Sequence, residues 1–461
     1  MKLFKYYLIY VFIFAVLIFA IQKPKEKVEN IAKEEETEAI NLDRVALVES
    51  GEQATFTRLN LIANAQESID ISYYSMTEDL STKIILGSVL DAADRGVKVR
   101  ILLDGMLNDL NDIKYGFALH PNIEIKRYQP FKLLYPLSWN NRLHDKMIIA
   151  DDNLALIGGR NIGDRFLNEE IMQDNFVKDR DVLIFRYESL ARSSSVINDM
   201  KDYYDMEWDH KYSVPSIPRL KERQTIKGAK SNENLKWEYY QFKQEHAEQV
   251  ENIEWDKQTL AVDNIKFVHN PIGRTNQDPW CLKELLNLAS EAEESIFLQS
   301  PYVIPSRNMK KEFEKYDIDL EKVTILTNSM ASSPNIPGVA GYMNNRKTMK
   351  DQGITIYEYQ GPQSIHSKTY VFDDNISVVG SFNLDARSSF LSTESMVVIE
   401  GESFAEEVKS NIEKDLANSL EVNQAYQYIE DSNVKTGYIS VFSRIIIWIV
   451  SLFVFFFEFL L

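Results

Sequence analysis

The stretch Ile365–Asn383 reads IHSKTYVFDDNISVVGSFN, and an earlier stretch, Leu143–Asn161, reads LHDKMIIADDNLALIGGRN. Both follow the pattern His-x-Lys-x4-Asp-x6-Gly-x-x-Asn. The fixed positions are His144, Lys146, Asp151, Gly158 and Asn161 in the first copy, and His366, Lys368, Asp373, Gly380 and Asn383 in the second. A chance His-x-Lys-x4-Asp match arises about once in a hundred chains of this size. Two copies with the same continuation are a repeat, and the fold is read outward from it.

Lys368 is followed by β-branched and aromatic residues and then by Asp-Asp-Asn, which marks a strand entering a hairpin. Side chains two apart on a strand share a face, so each His projects with its Lys. Asp151 and Asp373 complete each motif and are candidates for a catalytic set, but five residues beyond the lysine they have the opposite parity. They are therefore expected to face away and tie down the turn. The return strands, Leu154–Ile157 and Ile376–Val379, end at glycines where backbones approach closely. Asn161 and Asn383 then fall at a loop or helix start, a place suited to an anion.

Working outward, the two halves carry the same order of elements. The first half gives a helix over Asp43–Ala65, a strand at Ser68–Ser75, a helix at Ser81–Arg95 and strands at Val97–Leu103 and Ile123–Tyr128. The second gives a helix at Trp280–Glu294, a strand at Ser295–Ser300, a helix at Asn308–Tyr316 and strands at Val323–Asn328 and Ile354–Tyr359. The fold class is α/β, with two units related by duplication. The divisions are 43–210 and 263–436 for the units, 211–262 for a connector, and 1–22, 23–42 and 437–461 for an N-terminal apolar segment, a charged linker and a C-terminal apolar segment.

The paired His-Lys-Asp motifs resemble the phospholipase D superfamily, and the runs Gly158–Asp164 and Gly380–Ser388 resemble its bacterial cardiolipin synthase branch. The resemblance covers about Ala46 to Tyr428. It implies a pseudo-twofold that brings both motif strands to one cleft, with no cofactor and no metal. It also implies that His144 attacks phosphorus and that His366 serves as acid and base. Lys146, Lys368, Asn161, Asn383 and Ser381 would surround the phosphoryl oxygens. The family has an acidic residue downstream of Gly-x-x-Asn that orients each histidine. Glu394 matches it in the second half, and aligning the halves places Asp179 in the same role, with Asp181 as the alternative. Where the second copy has Gly380-Ser381, the first has Gly158-Gly159, which removes one hydroxyl.

The chain has 461 residues, is 44% hydrophobic and carries a net charge of −18. The length accommodates two cores. The charge disfavours a nucleic-acid surface, which wants a basic stripe. Cys281 is the single cysteine, so no intrachain disulfide can form. Tyr6–Ile21 is apolar behind Lys2 and Lys5 and lacks a small-residue cleavage site, which reads as an uncleaved membrane anchor over a cleaved signal. Ile445–Phe457 is a second apolar run, short for a span and as well suited to lying in the membrane plane. With the resemblance, these ends point to a bacterial cell-membrane enzyme acting on phospholipids, phosphatidylglycerol among them, as a phosphatidyltransferase. The alternatives are a hydrolase giving phosphatidic acid and an inactive scaffold, the second disfavoured by complete motifs. A monomer suffices if both halves complete one cleft.

Overall fold

A computed structural model of the protein describes residues 4–7, 9–13, 43–108, 110–134, 139–187, 195–217, 219–274 and 276–461. Most of the predicted N-terminal anchor and all of the charged linker lie outside them.

Two mixed sheets form the body, and their strand orders correspond one for one. In the first, Asp43–Val48 borders Asp181–Arg186. Then come Leu154–Gly158, Lys146–Ala150, Ser68–Tyr73, Lys98–Asp104, Ile123–Tyr128 and Ser213–Pro215. In the second, Asn264–His269 borders Ser395–Glu400. It is followed by Ile376–Gly380, Thr369–Phe372, Ile296–Gln299, Val323–Asn328, Thr355–Tyr359 and Ser419–Glu421. Leu260–Ala261 adds one further edge strand to the first sheet. The motif strands are antiparallel hairpins in both halves (Met147 opposite Ile157, Thr369 opposite Val379), and each sits beside the first parallel strand of its unit. The predicted duplication is therefore present as a repeated topology.

The segment expected as one helix over Asp43–Ala65 is instead two elements. Asp43–Val48 is a strand paired with Asp181–Arg186, and Gly51–Asn64 is a helix. The break is at Ser50, whose hydroxyl accepts from the Gln53 N–H while the Gln53 side chain accepts from the Ser50 N–H. Such a capping box starts a helix and does not continue one. Val45 and Leu47 share one face by strand alternation, and both are buried.

The inner faces of the two sheets meet across a shared apolar core that includes Met147, Ile157, Val371 and Val379. The helices Val196–Asp209 and Glu402–Leu416 contribute Met200, Tyr203, Phe404 and Val408 to it. The outer faces carry separate cores, one per unit. The connector supplies the helix Glu222–Glu245, which lies on the first unit's outer helix Leu80–Asp94. That approach needs Gly87: a Cβ there would stand 2.4 Å from the Leu235 carbonyl oxygen.

The C-terminal apolar run is the helix Val441–Phe457, 17 residues long. Its Ile447 and Val454 pack against Val339 and Ala340 of the helix Ile336–Asp351. Among the described residues no helix is long and apolar enough to cross a membrane.

Candidate active site

Each motif strand begins at or just after its lysine, and the histidine sits in the loop before it. What fixes each histidine comes from the other half. Leu143 bridges to Thr393, the His144 N–H donates to the Thr393 hydroxyl at 3.1 Å, and His144 Nδ1 lies 2.8 Å from Glu394 Oε2. On the opposite side Ser364–Ile365 pairs in parallel with Val177–Lys178. There the His366 N–H donates to the Lys178 carbonyl at 2.7 Å, and His366 Nδ1 lies 2.6 Å from Asp179 Oδ2. A carboxylate on Nδ1 orients each ring; at His366 the Lys368 ammonium also lies 2.7 Å from Nδ1 and 3.3 Å from Nε2. The histidine side chains are 12% and 26% exposed, so each ring keeps some access to solvent. Tyr74 stands edge-on to His144 at 4.6 Å between ring centroids, and Phe166 edge-on to His366 at 5.4 Å.

The Lys146 and Lys368 ammonium groups donate to the main-chain carbonyls of His144 and His366 respectively, and both lysines are buried. Burial pushes the Lys146 ammonium down to about 7, against the pull of Glu394. Burial likewise brings Lys368 down to about 8, against the pull of Asp179. Burial, followed by the nearby lysines, holds His144 well below the usual imidazole range. Burial and then Lys368 lower His366 to about 4, although Asp179 opposes this. The two carboxylates differ. Burial would raise Asp179, but Lys368 and His366 outweigh it and hold the group ionised. Burial drives Glu394 well above the usual carboxylate range, with Lys146 and the Ser381 hydroxyl pulling the other way.

Asn161 and Asn383 are buried, and the Oδ1 atom of each has no hydrogen-bond partner among the described residues. Of each amide only the Nδ2 group can donate to an oxyanion; the unpartnered Oδ1 is an acceptor and suits a hydroxyl or a water. Ser381, expected at the phosphate, is placed differently: its hydroxyl donates to Glu394 Oε2 at 2.5 Å and accepts from the Ser395 N–H at 3.0 Å. It is spent on the carboxylate and does not line the phosphate position. The glycine opposite it in the repeat has a reason. A Cβ on Gly159 would lie 2.2 Å from Asp179 Oδ1, so the shorter Asp179 and the absent side chain at residue 159 go together, as Glu394 goes with Ser381.

Asp151 and Asp373, expected in the catalytic set, also sit apart from the reacting groups. Asp151 accepts the N–H groups of Gln66, Glu67 and Ser68, and Asp373 those of Glu293, Glu294 and Ser295. They lie at the hairpin turns, at positive φ, at the far end of the motif strands from the histidines. They join each turn to the start of the neighbouring parallel strand, as their parity suggested. Asp373→Ala is expected to lower stability by about 1–3 kcal/mol while kcat stays within about twofold. Denaturant unfolding and steady-state assays would check this, and a large loss of kcat in folded protein would restore the catalytic reading.

Asp181 is held by Arg58 and Arg160 at 2.9 and 3.2 Å, which leaves Asp179 for the histidine. Sequence reasoning missed Thr393, Tyr74, Phe166 and Arg180. Tyr74 and Thr393 each lie one residue from a recognised feature, the end of a parallel strand and Glu394. Nothing in the spacing indicated Phe166 or Arg180.

A family described as cardiolipin synthase, PLD-like domain, matches residues 59–186 and 285–416. An uncharacterized protein of Helicobacter pylori (strain ATCC 700392 / 26695) is 30% identical over 411 residues, covering 81% of this chain and 79% of that protein. Cardiolipin synthase C of Escherichia coli K12 is 28% identical over 400 residues, covering 78% and 82%. The crystal structure of phosphatidylserine synthase from Haemophilus influenzae Rd KW20 superposes with a TM-score of 0.62 at 15% identity, covering 91% of this chain and 98% of that one, and so shares the fold. With two motif copies meeting at one cleft and more than half of its length matched, the chain belongs to the cardiolipin synthase, PLD-like domain family.

Proposed function

We propose that the protein is a membrane-surface phosphatidyltransferase that moves a phosphatidyl group between phospholipids through a phosphohistidine. The observation that carries this is the crossed pair of histidines, each held by a carboxylate of the other half beside two buried lysines. In the first step His144 Nε2 attacks phosphorus, the bond to the leaving alkoxide breaks, and His366 gives that oxygen a proton. In the second step His366 takes the proton of the incoming hydroxyl, whose oxygen attacks phosphorus and displaces His144. Asp179, held ionised, favours the imidazolium form of His366 and so supports its role as proton carrier. The anionic phosphodiester offsets the two ammonium groups and lifts His366 from its depressed value when substrate binds. Lys146, Lys368, Asn161 and Asn383 hold the non-bridging oxygens.

The helix Val441–Phe457 fits the membrane plane. One side is seated on the protein, and Phe442, Trp448 and Phe453 are exposed on the other. Phosphatidylglycerol is the proposed donor and acceptor. Purified protein with labelled phosphatidylglycerol in mixed micelles is expected to give cardiolipin and glycerol. Phosphatidic acid without cardiolipin would replace transfer by hydrolysis, and absence of any phospholipid turnover would overturn both.

Lysines at about 7 and about 8 carry a pH expectation. Their charge is present below these values and is lost as pH rises through them. The free enzyme therefore loses its hold on the anionic phosphodiester, and kcat/KM falls on the alkaline side. Lys146→Arg keeps its charge and is expected to move the falling limb upward by about one pH unit. An unmoved limb would assign it to another group.

A further inference from the structure

The outer helix layers of the two units close their sheets unequally. In the first unit the strand Ser68–Tyr73 leads to the 15-residue helix Leu80–Asp94, which the connector helix Glu222–Glu245 covers. Leu86, Val89 and Ile101 beneath are fully buried. In the second unit the strand Ile296–Gln299 leads to Arg307–Phe313, only 7 residues, whereas the connector helix packs chiefly on the helices of the first unit. The space left between sheet and helices is an apolar cavity of about 310 Å³.

The cavity's lining reaches from one end of the strands to the other. Val303 and Leu384 line the end beside the site, since they follow Tyr302 and Asn383 and bridge to one another. Val323 and Ile354 line the end where the strands begin. An apolar cavity of about 150 Å³ takes a benzene ring, so twice that volume takes roughly a dozen carbons in a row. The rim includes Lys310, whose ammonium donates to Asn345 Oδ1 at 2.9 Å and pairs with no carboxylate among the described residues. The helix Ile336–Asp351 walls the cavity through Thr348 and Met349 and also carries the apolar C-terminal helix. The cavity and the apolar C-terminal helix therefore share one helix as a wall.

We propose that this cavity holds one acyl chain of an anionic lipid, with the head at Lys310. The choice of a lipid rests on the reading of the protein as an enzyme of phospholipids, but its test does not depend on turnover. Full-length protein titrated with cis-parinaric acid is expected to show saturable binding of one molecule per chain. Ala289→Phe, which fills the cavity from the helix Trp280–Glu291, is expected to weaken it by about tenfold or more. Lys310→Met is expected to weaken binding of the acid and to leave binding of its methyl ester unchanged. Displacement by lysophosphatidylglycerol assigns the chain to a phospholipid, and displacement by oleate alone assigns it to a free fatty acid. Absence of saturable binding to the unmodified protein, or equal binding by folded Ala289→Phe, overturns the proposal. Binding without any lipid turnover would retain the cavity's ligand and reject the transfer reaction.

Discussion

Alanine at His144 is expected to lower turnover by about ten-thousandfold or more, because it removes the atom that attacks phosphorus. His366→Ala is expected to lose a similar amount, since the same ring serves leaving group and acceptor in turn. The two variants should differ in what they retain. With phosphatidylglycerol labelled in its phosphatidyl part, the His144 variant should carry no label after rapid denaturation, whereas His366→Ala accumulates some if attack still occurs. Label on the His144 variant and none on the His366 variant would exchange the two roles. Near-normal turnover in either would end the mechanism. Each change also leaves a fully buried carboxylate, Glu394 or Asp179, without its ring partner and so lowers stability; denaturation curves and assays on the folded fraction separate lost chemistry from lost fold.

The second large effect is expected at Arg180, one residue beyond Asp179. Its guanidinium is fully buried and joins the halves. It donates to Glu49 at 2.6 and 3.0 Å, and to Gln299 Oε1 and Thr369 Oγ1 at 2.8 and 3.0 Å. Gln299 in turn donates to Asp415 at 2.8 Å. Arg180→Ala leaves the buried Gln299 Oε1 and Thr369 Oγ1 without that donor and releases Glu49, whose side chain is 25% exposed, and is expected to cost about 2–4 kcal/mol. Urea unfolding would measure it. A loss below about 1 kcal/mol would mean that water replaces the guanidinium without strain. Because Asp179 is adjacent, the surviving folded fraction should also show a weaker His366.

The repeat made much of this architecture legible. Strong period-two runs such as Val323–Asn328 and Ser68–Tyr73 appear close to where their pattern placed them. Asp43–Val48 was misread because its apolar residues suit a helix stripe as well as an edge strand, and the capping box at Ser50 was overlooked. The site's first members were legible because the chemistry needs His and Lys at fixed parity. The direction of the carboxylate pairing was not. It depends on which loop lies against which strand across the dyad, and alignment of one half on the other carries no information about that. Ser381 was misassigned for a related reason: a hydroxyl near a phosphate site looks like a ligand until the carboxylate it serves is seen. The terminal apolar runs gave length and hydropathy, whereas the seat of Val441–Phe457 on Ile336–Asp351 is a tertiary fact.

Crossed pairing makes the duplicated halves mutually dependent. Neither half, separated, keeps its histidine oriented: the first would hold His144 without Glu394, and the second His366 without Asp179. Fragments cut in the connector should each be inert, and mixing them should restore turnover only as the halves reassociate. Damage to one motif is therefore inherited by the other, and substitutions at Asp179 and His366, drawn from opposite halves, should behave as a single lesion.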